Sequence, residues 1–300
     1  MIKIVEVGPR DGLQNEKTII PTADKFEYIS LLSESGLKSI EVTSFVKASS
    51  IPQMSDAVDL YTMINAKLLN NGVSYPCLVP NLKGYEVARS LGVKEIALFS
   101  ATSDSFAKKN VNATVDETFE KMKDVVSAAK ADGVRIRGYI STAFGCPYEG
   151  KMSVDKLMQV TRRFFDLGVY EVSVGDTIGV ATPIQVTEYI KTLKSEFSVN
   201  KLAMHFHDTR GMALTNILKS LEEGITTFDS SSGGLGGCPY AKGATGNVAT
   251  EDVWYLMKSQ GLETGIDIDK LARASAFILG KIQRSTESKF LKAYLSTGKV

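Results

Sequence analysis

A short β-branched run followed by a helical stretch recurs along this chain, and that alternation restricts the folds open to it. The strand candidates are Ile2–Val7, Ser39–Ser44, Tyr75–Val79, Glu95–Ser100, Arg135–Ser141, Glu171–Asp176, Leu202–Asp208 and Thr226–Ser231. Helical patterns lie between them, among them Thr22–Ser35, Val115–Asp132, Ser153–Leu167, Pro183–Phe197 and Ala213–Glu223. Several helices run out in a glycine followed by an aliphatic residue, at Gly36, Gly133, Gly168 and Gly224. Glycine there takes the left-handed conformation without a Cβ penalty and turns the chain into the next strand. Eight βα units over roughly 250 residues predict an α/β fold of the (β/α)₈ TIM-barrel type. A doubly wound open sheet is the alternative, and it predicts Gly-x-Gly-x-x-Gly after the first strand. Gly8-Pro9-Arg10-Asp11-Gly12 stands there instead, and the glycine-rich Gly233-Gly234-Leu235-Gly236-Gly237 follows the last strand. The expected organisation is a catalytic barrel over 1–265. A helical extension over 266–300 would pack on the barrel or on a partner copy. Asp252–Ser259 and Ile268–Gln283 read as outer helices.

Composition narrows the function classes. Of the 300 residues 43% are apolar and the formal net charge is +1, enough core for one large domain. Lys and Arg are spread without a block, which argues against nucleic acid and membrane surfaces as partners. No apolar run reaches the ~18 residues a spanning helix needs. The first residues, Met-Ile-Lys-Ile-Val-Glu-Val, enter a strand pattern directly, without a signal or transit segment, so the expected compartment is the cytoplasm. Cys77, Cys146 and Cys238 are an odd number in a large chain and read as reduced thiols.

In such barrels the chemistry sits at the C-terminal strand ends. The chain holds only two histidines, His205 and His207, in the seventh run. On a strand, positions i and i+2 share a face with Cα atoms about 6.5–7 Å apart, so both imidazoles can grip one cation. The first run ends in Arg10-Asp11, with Gln14 just beyond. Asp11 is a candidate oxygen ligand or base, and Arg10 a candidate oxyanion stabiliser. Glu41 lies inside the second run, which ends at Ser44. A glutamate there is costly to bury unpaired, so it is expected to face the lumen and pair with Arg10. The fifth run carries Arg137 and Tyr139 at one parity, the sixth ends in Asp176, and Asn247 follows the last run. A mixed nitrogen and oxygen set suits Mg²⁺ or Mn²⁺, which keep positions for substrate. Two histidines leave zinc open. Cys238, in a glycine-rich loop, is a thiol able to donate a proton, whereas Cys146 and Cys77 read as structural. Lys108 and Lys109, after the fourth run, are candidate contacts for substrate phosphates. Gln14, Ser44, Arg137 and Tyr139 complete the candidate substrate contacts.

These residues carry a resemblance. Val7-Gly8-Pro9-Arg10-Asp11-Gly12-Leu13-Gln14-Asn15-Glu16 resembles the first signature of 3-hydroxy-3-methylglutaryl-CoA lyases. Gly233 through Ala241 is similar to that family's cysteine loop, and Gly243 through Asp252 to its continuation. Gly175-Asp176-Thr177-Ile178-Gly179 and His205-Phe206-His207-Asp208 match as well. The resemblance spans nearly the whole chain. Related aldol-type synthases typically carry a Gly-Glu-Arg-x-Gly-Asn motif where the cysteine loop stands here, a departure that points to a lyase. The resemblance implies one Mg²⁺ or Mn²⁺ held by Asp11, His205, His207 and Asn247. It implies that Arg10 neutralises a thioester enolate, that Cys238 protonates it, and that Glu41 and Asp176 support the site. The implied reaction splits 3-hydroxy-3-methylglutaryl-CoA into acetyl-CoA and acetoacetate, with leucine breakdown as the pathway and a homodimer as the assembly. His205 and Asp11 both stand as candidate bases. A metal-dependent hydrolase would place His-x-His on the first strand, and a non-catalytic metal binder leaves Arg10, Glu41, Asp176 and Cys238 unexplained.

Overall fold

The computed structural model describes residues 1–237 and 246–298. Among them, eight strands close a barrel. They are β1 (Lys3–Glu6), β2 (residues 39–44), β3 (Cys77–Leu78), β4 (Glu95–Ala101), β5 (Arg135–Ser141), β6 (Glu171–Asp176), β7 (Leu202–Phe206) and β8 (Thr227–Ser230). Every neighbouring pair runs parallel. β2 closes the ring by splitting its pairing. Ser39–Ile40 pairs with β1 and Thr43–Ser44 with β3. Between them the Glu41 amide donates to the Glu6 carbonyl at 2.8 Å and the Val42 amide to that of Pro76 at 3.0 Å. The glycines at the helix exits do turn left-handed, with φ of 93° at Gly36 and 94° at Gly224.

The apolar core lies between strands and helices. In helix Val154–Asp166, Leu157, Val160, Thr161 and Phe164 recur at helical spacing and are buried, while the Ser153 hydroxyl caps the first turn. Gly138 of β5 lets this helix lie close, since a Cβ there would come within 2.8 Å of the Phe164 ring. Helix Ile268–Ile282 packs on helix Thr22–Glu34, with Lys281 and Asp24 paired at 2.8 Å. It also meets the turn Ser232–Gly234 below the glycine-rich loop. Helices Ala57–Lys67, Leu82–Ser90 and Asp104–Val111 add to the outer layer. No helix among the described residues is long and apolar enough to cross a membrane.

The lumen departs from the usual layers of branched aliphatics. Inside it Arg137 and Tyr139 of β5, Glu171 and Ser173 of β6, and Asp229 of β8 are all buried and hydrogen-bonded to one another. A buried guanidinium of this kind is tolerated because its donors are paired.

Candidate active site

The first βα connection makes a tight π-helical turn over Gly8–Gly12, and this turn presents Arg10 and Asp11. Gly8 is required in it, because a Cβ would sit 2.5 Å from both the Glu6 carboxylate and the Tyr28 hydroxyl. Arg10 is 6% exposed. Its Nε and second terminal nitrogen donate to Glu41 at 2.9 and 3.0 Å, a bidentate pair, and its first donates to Asp11 at 2.6 Å. The pairing of Glu41 with Arg10 inside the lumen is thus present. Burial works against the Arg10 charge, but Glu41 and Asp11 outweigh it and hold the guanidinium ionised.

Strand β7 ends at Phe206, earlier than the sequence pattern predicts. His207 lies past it, in an isolated antiparallel bridge to Asn247, where the Asp208 amide donates to the Gly246 carbonyl at 2.8 Å and the Val248 amide to the Phe206 carbonyl at 3.1 Å. The two imidazoles still converge, with ring centroids 5.2 Å apart. One ligand atom each from Asp11, His205 and His207 lies within 4.8 Å of the others. Asn247 joins them by donating its side-chain amide to Asp11 at 2.9 Å and to the Leu235 carbonyl at 3.2 Å.

Two buried polar atoms in this cluster have no hydrogen-bond partner among the described residues, Nδ1 of His207 and the Asn247 side-chain carbonyl oxygen. Leaving a buried acceptor unmade costs about 1–3 kcal/mol. A bound cation would offer both a partner, and the donor set of imidazole, carboxylate and amide oxygen suits a hard or borderline divalent ion. The residues present therefore fit a metal.

Electrostatics separate the two histidines. Burial pushes the His207 imidazole down to about 4, and its neighbour His205 adds to that. Burial also opposes charge on His205, but its hydrogen bond to Asp229 at 3.3 Å and that carboxylate's charge raise its basicity overall. The Asp11 carboxyl is opposed by burial yet held at about 2 by Arg10 and both imidazoles. Its oxygens are taken by Arg10, Gln14 at 2.8 Å and Asn247.

Other expected site residues sit elsewhere. Arg137 lies in the barrel lumen. It is 1% exposed, and it donates to Glu171 at 2.7 Å, Tyr139 at 2.8 Å and Asp229 at 2.8 Å. The spacing that flagged it marked a lumen residue. The Tyr139 hydroxyl is committed to Glu41 at 2.7 Å, with its ring 5.5 Å from the Arg10 guanidinium. Asp176 acts on backbone, accepting from the amides of Val180 and Ala181 at 2.9 Å each and so folding the loop after β6. Burial raises its carboxyl to about 6. Ser44 is buried at the end of β2 with an unpartnered hydroxyl. Lys108 and Lys109 are exposed on helix Asp104–Val111 beyond β4, with the Lys109 ammonium 4.1 Å from the Tyr148 ring centroid. Cys77 and Cys146 are buried free thiols, and Cys146 donates to the Ser103 hydroxyl at 3.0 Å. Cys238 lies outside the described residues. Asp229, Glu171, Glu6 and Glu251 were missed by the sequence reading. Asp229 and Glu171 carried the signal that revealed Glu41, a carboxylate within a strand pattern.

The HMGL-like family profile matches residues 1–278. A mitochondrial hydroxymethylglutaryl-CoA lyase of Bos taurus is 48% identical over 292 residues, 97% of this chain and 89% of that one. The chain belongs to the hydroxymethylglutaryl-CoA lyase family. The crystal structure of the Pseudomonas aeruginosa lyase superposes with a TM-score of 0.95 at 47% identity, covering 99% of this chain and 98% of that one. An Acinetobacter baumannii HMG-CoA lyase solved with coenzyme A and 3-methylmalate superposes with a TM-score of 0.92 at 35% identity, covering 98% and 95%. These matches accord with the barrel and with the resemblance carried by the Arg10-Asp11 and His205-Phe206-His207 segments.

Proposed function

We propose that this protein is a divalent-metal-dependent carbon–carbon lyase that cleaves 3-hydroxy-3-methylglutaryl-CoA into acetyl-CoA and acetoacetate. The observation that carries the reading is the convergence of Asp11, His205 and His207 beside a buried, fully ionised Arg10 at the catalytic end of the barrel. The coenzyme A bound in the Acinetobacter enzyme supports a CoA thioester as substrate. Asp11, His205, His207 and Asn247 would hold Mg²⁺ or Mn²⁺, which when bound acidifies a coordinated hydroxyl and orients the substrate.

The chain's own groups do the rest. The tertiary hydroxyl loses its proton to a base, for which Asp11 and His205 are the candidates. The oxygen's electron pair forms the ketone of acetoacetate while the C2–C3 bond breaks into the thioester, leaving an acetyl-CoA enolate. Arg10 neutralises the enolate oxygen. Glu41 and Asp11 fix its guanidinium before the charge develops, so little reorganisation is needed. Cys238, as the resemblance implies, returns a proton to carbon.

The test is acetoacetate release from 3-hydroxy-3-methylglutaryl-CoA, first with Mg²⁺ or Mn²⁺ and then with EDTA. Fast release that EDTA abolishes is expected. A folded, metal-loaded protein that releases none refutes the assignment of substrate.

A further inference from the structure

Two imidazoles share this cluster, and among the described residues only one of them has a carboxylate behind it. Asp229 is the residue of β8 paired in register with His205 of β7. It is 1% exposed. Its Oδ1 accepts from Arg137 at 2.8 Å, and its Oδ2 accepts from the Ser173 hydroxyl at 2.6 Å and faces Nδ1 of His205 at 3.3 Å. Nδ1 of His207 has no such partner among the described residues. We propose that Asp229 is a positioning residue that fixes His205 as the Nδ1–H tautomer, so that the Nε2 lone pair is the one turned to the Asp11–His207 cluster.

The geometry argues for this role over simple neutralisation of Arg137. Glu171 already pairs with that guanidinium at 2.7 Å. An acceptor was needed on the other side, where only an ionised carboxylate supplies lone pairs to an arginine, a hydroxyl and an imidazole together. A ring nitrogen that holds a metal keeps its lone pair only when the other nitrogen carries the proton. Arg137 then has a second task. Through Tyr139 it reaches Glu41, the partner of Arg10, so one guanidinium holds the support of both the histidine and the arginine of the site.

The consequence for metal rests on the reading above, whereas the tautomer is a property of the metal-free chain. Arg137 makes the decisive variant directional. It has donors only, so in Asp229→Asn the amide oxygen must stay with Arg137, and the amide NH₂ must face Ser173 and His205. That NH₂ donates to Nδ1 and moves the ring proton to Nε2, pointing it at the metal position.

The experiment uses full-length protein labelled with ¹⁵N-histidine, in which the two histidines give two ring spin systems, assigned with His207→Gln. Long-range ¹H–¹⁵N spectra of the metal-free protein at alkaline pH should show His205 as the Nδ1–H tautomer in the wild type and as Nε2–H in Asp229→Asn. Mn²⁺ binding by the variant should weaken about 10–100-fold, the range for loss of a carboxylate behind a ligating histidine. Asp229→Ala, with no donor to offer, should weaken Mn²⁺ without inverting the ring. A wild-type spectrum with His205 as Nε2–H overturns the proposal, and so does an Asp229→Asn protein that keeps both tautomer and Mn²⁺ affinity. The wild-type spectrum decides the matter even where the variant does not fold. It also decides it where wild type binds no Mn²⁺, an outcome that would instead overturn the metal reading.

Discussion

Replacing Glu251 by glutamine should flatten the pH dependence of this protein's stability. Glu6 and Glu251 are both fully buried, and together they hold the backbone under the glycine-rich loop. Glu6 accepts from the amides of Gly8 at 2.8 Å and Ser232 at 2.9 Å and from the Thr250 hydroxyl at 2.6 Å. Glu251 accepts from the Gly233 amide at 2.9 and 3.0 Å and from the Ser275 hydroxyl. Burial pushes Glu6 from 4.5 up to about 7 and Glu251 from 4.5 up to about 8, the charge of Glu6 adding to the latter. In the unfolded chain both return to ordinary values. Between those limits the native state keeps protons that the unfolded state has released, so stability falls as pH rises. The contribution is complete below the unfolded value and is lost as pH climbs to about 8. At ~1.4 kcal/mol per pH unit between the two values, Glu251 accounts for a few kcal/mol across the window. Glutamine keeps a carbonyl for Gly233, and its NH₂ can donate to Ser275, whose own hydrogen can stay on the Leu271 carbonyl. The assay is urea unfolding of metal-free protein followed by circular dichroism, from about pH 5 to about pH 8.5, with the slope read as protons released. Wild type should lose stability toward alkaline pH, and Glu251→Gln should lose it with a slope shallower by close to one proton. His207, pushed down to about 4, works in the opposite sense but is common to both proteins. Parallel curves for the two proteins would refute the reasoning.

Three further predictions concern the site. Arg10→Gln should cut turnover by ~10²–10³ through loss of one preorganised charge contact. It also strands the buried Glu41 beside the Tyr139 hydroxyl, so the melting temperature should fall with it; turnover within tenfold of wild type would count against the role of Arg10. Cys238→Ser should cripple turnover, and an alkylating reagent should inactivate the enzyme unless substrate is bound, whereas full activity after complete labelling of Cys238 contradicts the assignment. The double change Lys108→Ala with Lys109→Ala should raise KM for the CoA thioester and leave kcat nearly unchanged. An unaltered KM removes those lysines from substrate binding.

Much of this protein is legible in its sequence because local rules suffice for it. Alternating strand and helix patterns with left-handed glycine exits specify βα units, and eight of those close into a barrel. Arg10, Asp11, Glu41 and the histidine pair stood out because each is a polar group where a strand end or a strand interior gives it no packing reason to be. The sequence also paired Glu41 with Arg10, since a lumen carboxylate must find a cation. It placed Arg137 and Tyr139 at one parity but not at one height in the barrel. Whether an inward side chain reaches the pocket or lies beneath it depends on the stagger between strands, which no single strand encodes. That stagger sets Arg137 against Glu171 and Asp229. It brings Asn247 from beyond the glycine-rich loop to the backbone of His207. It also puts Asp229 behind His205 and not behind His207. Residues far apart in the chain meet only when the ring closes, so the tertiary structure alone decided which of two histidines is held by a carboxylate and which buried polar atoms of the cluster lack a partner among the described residues.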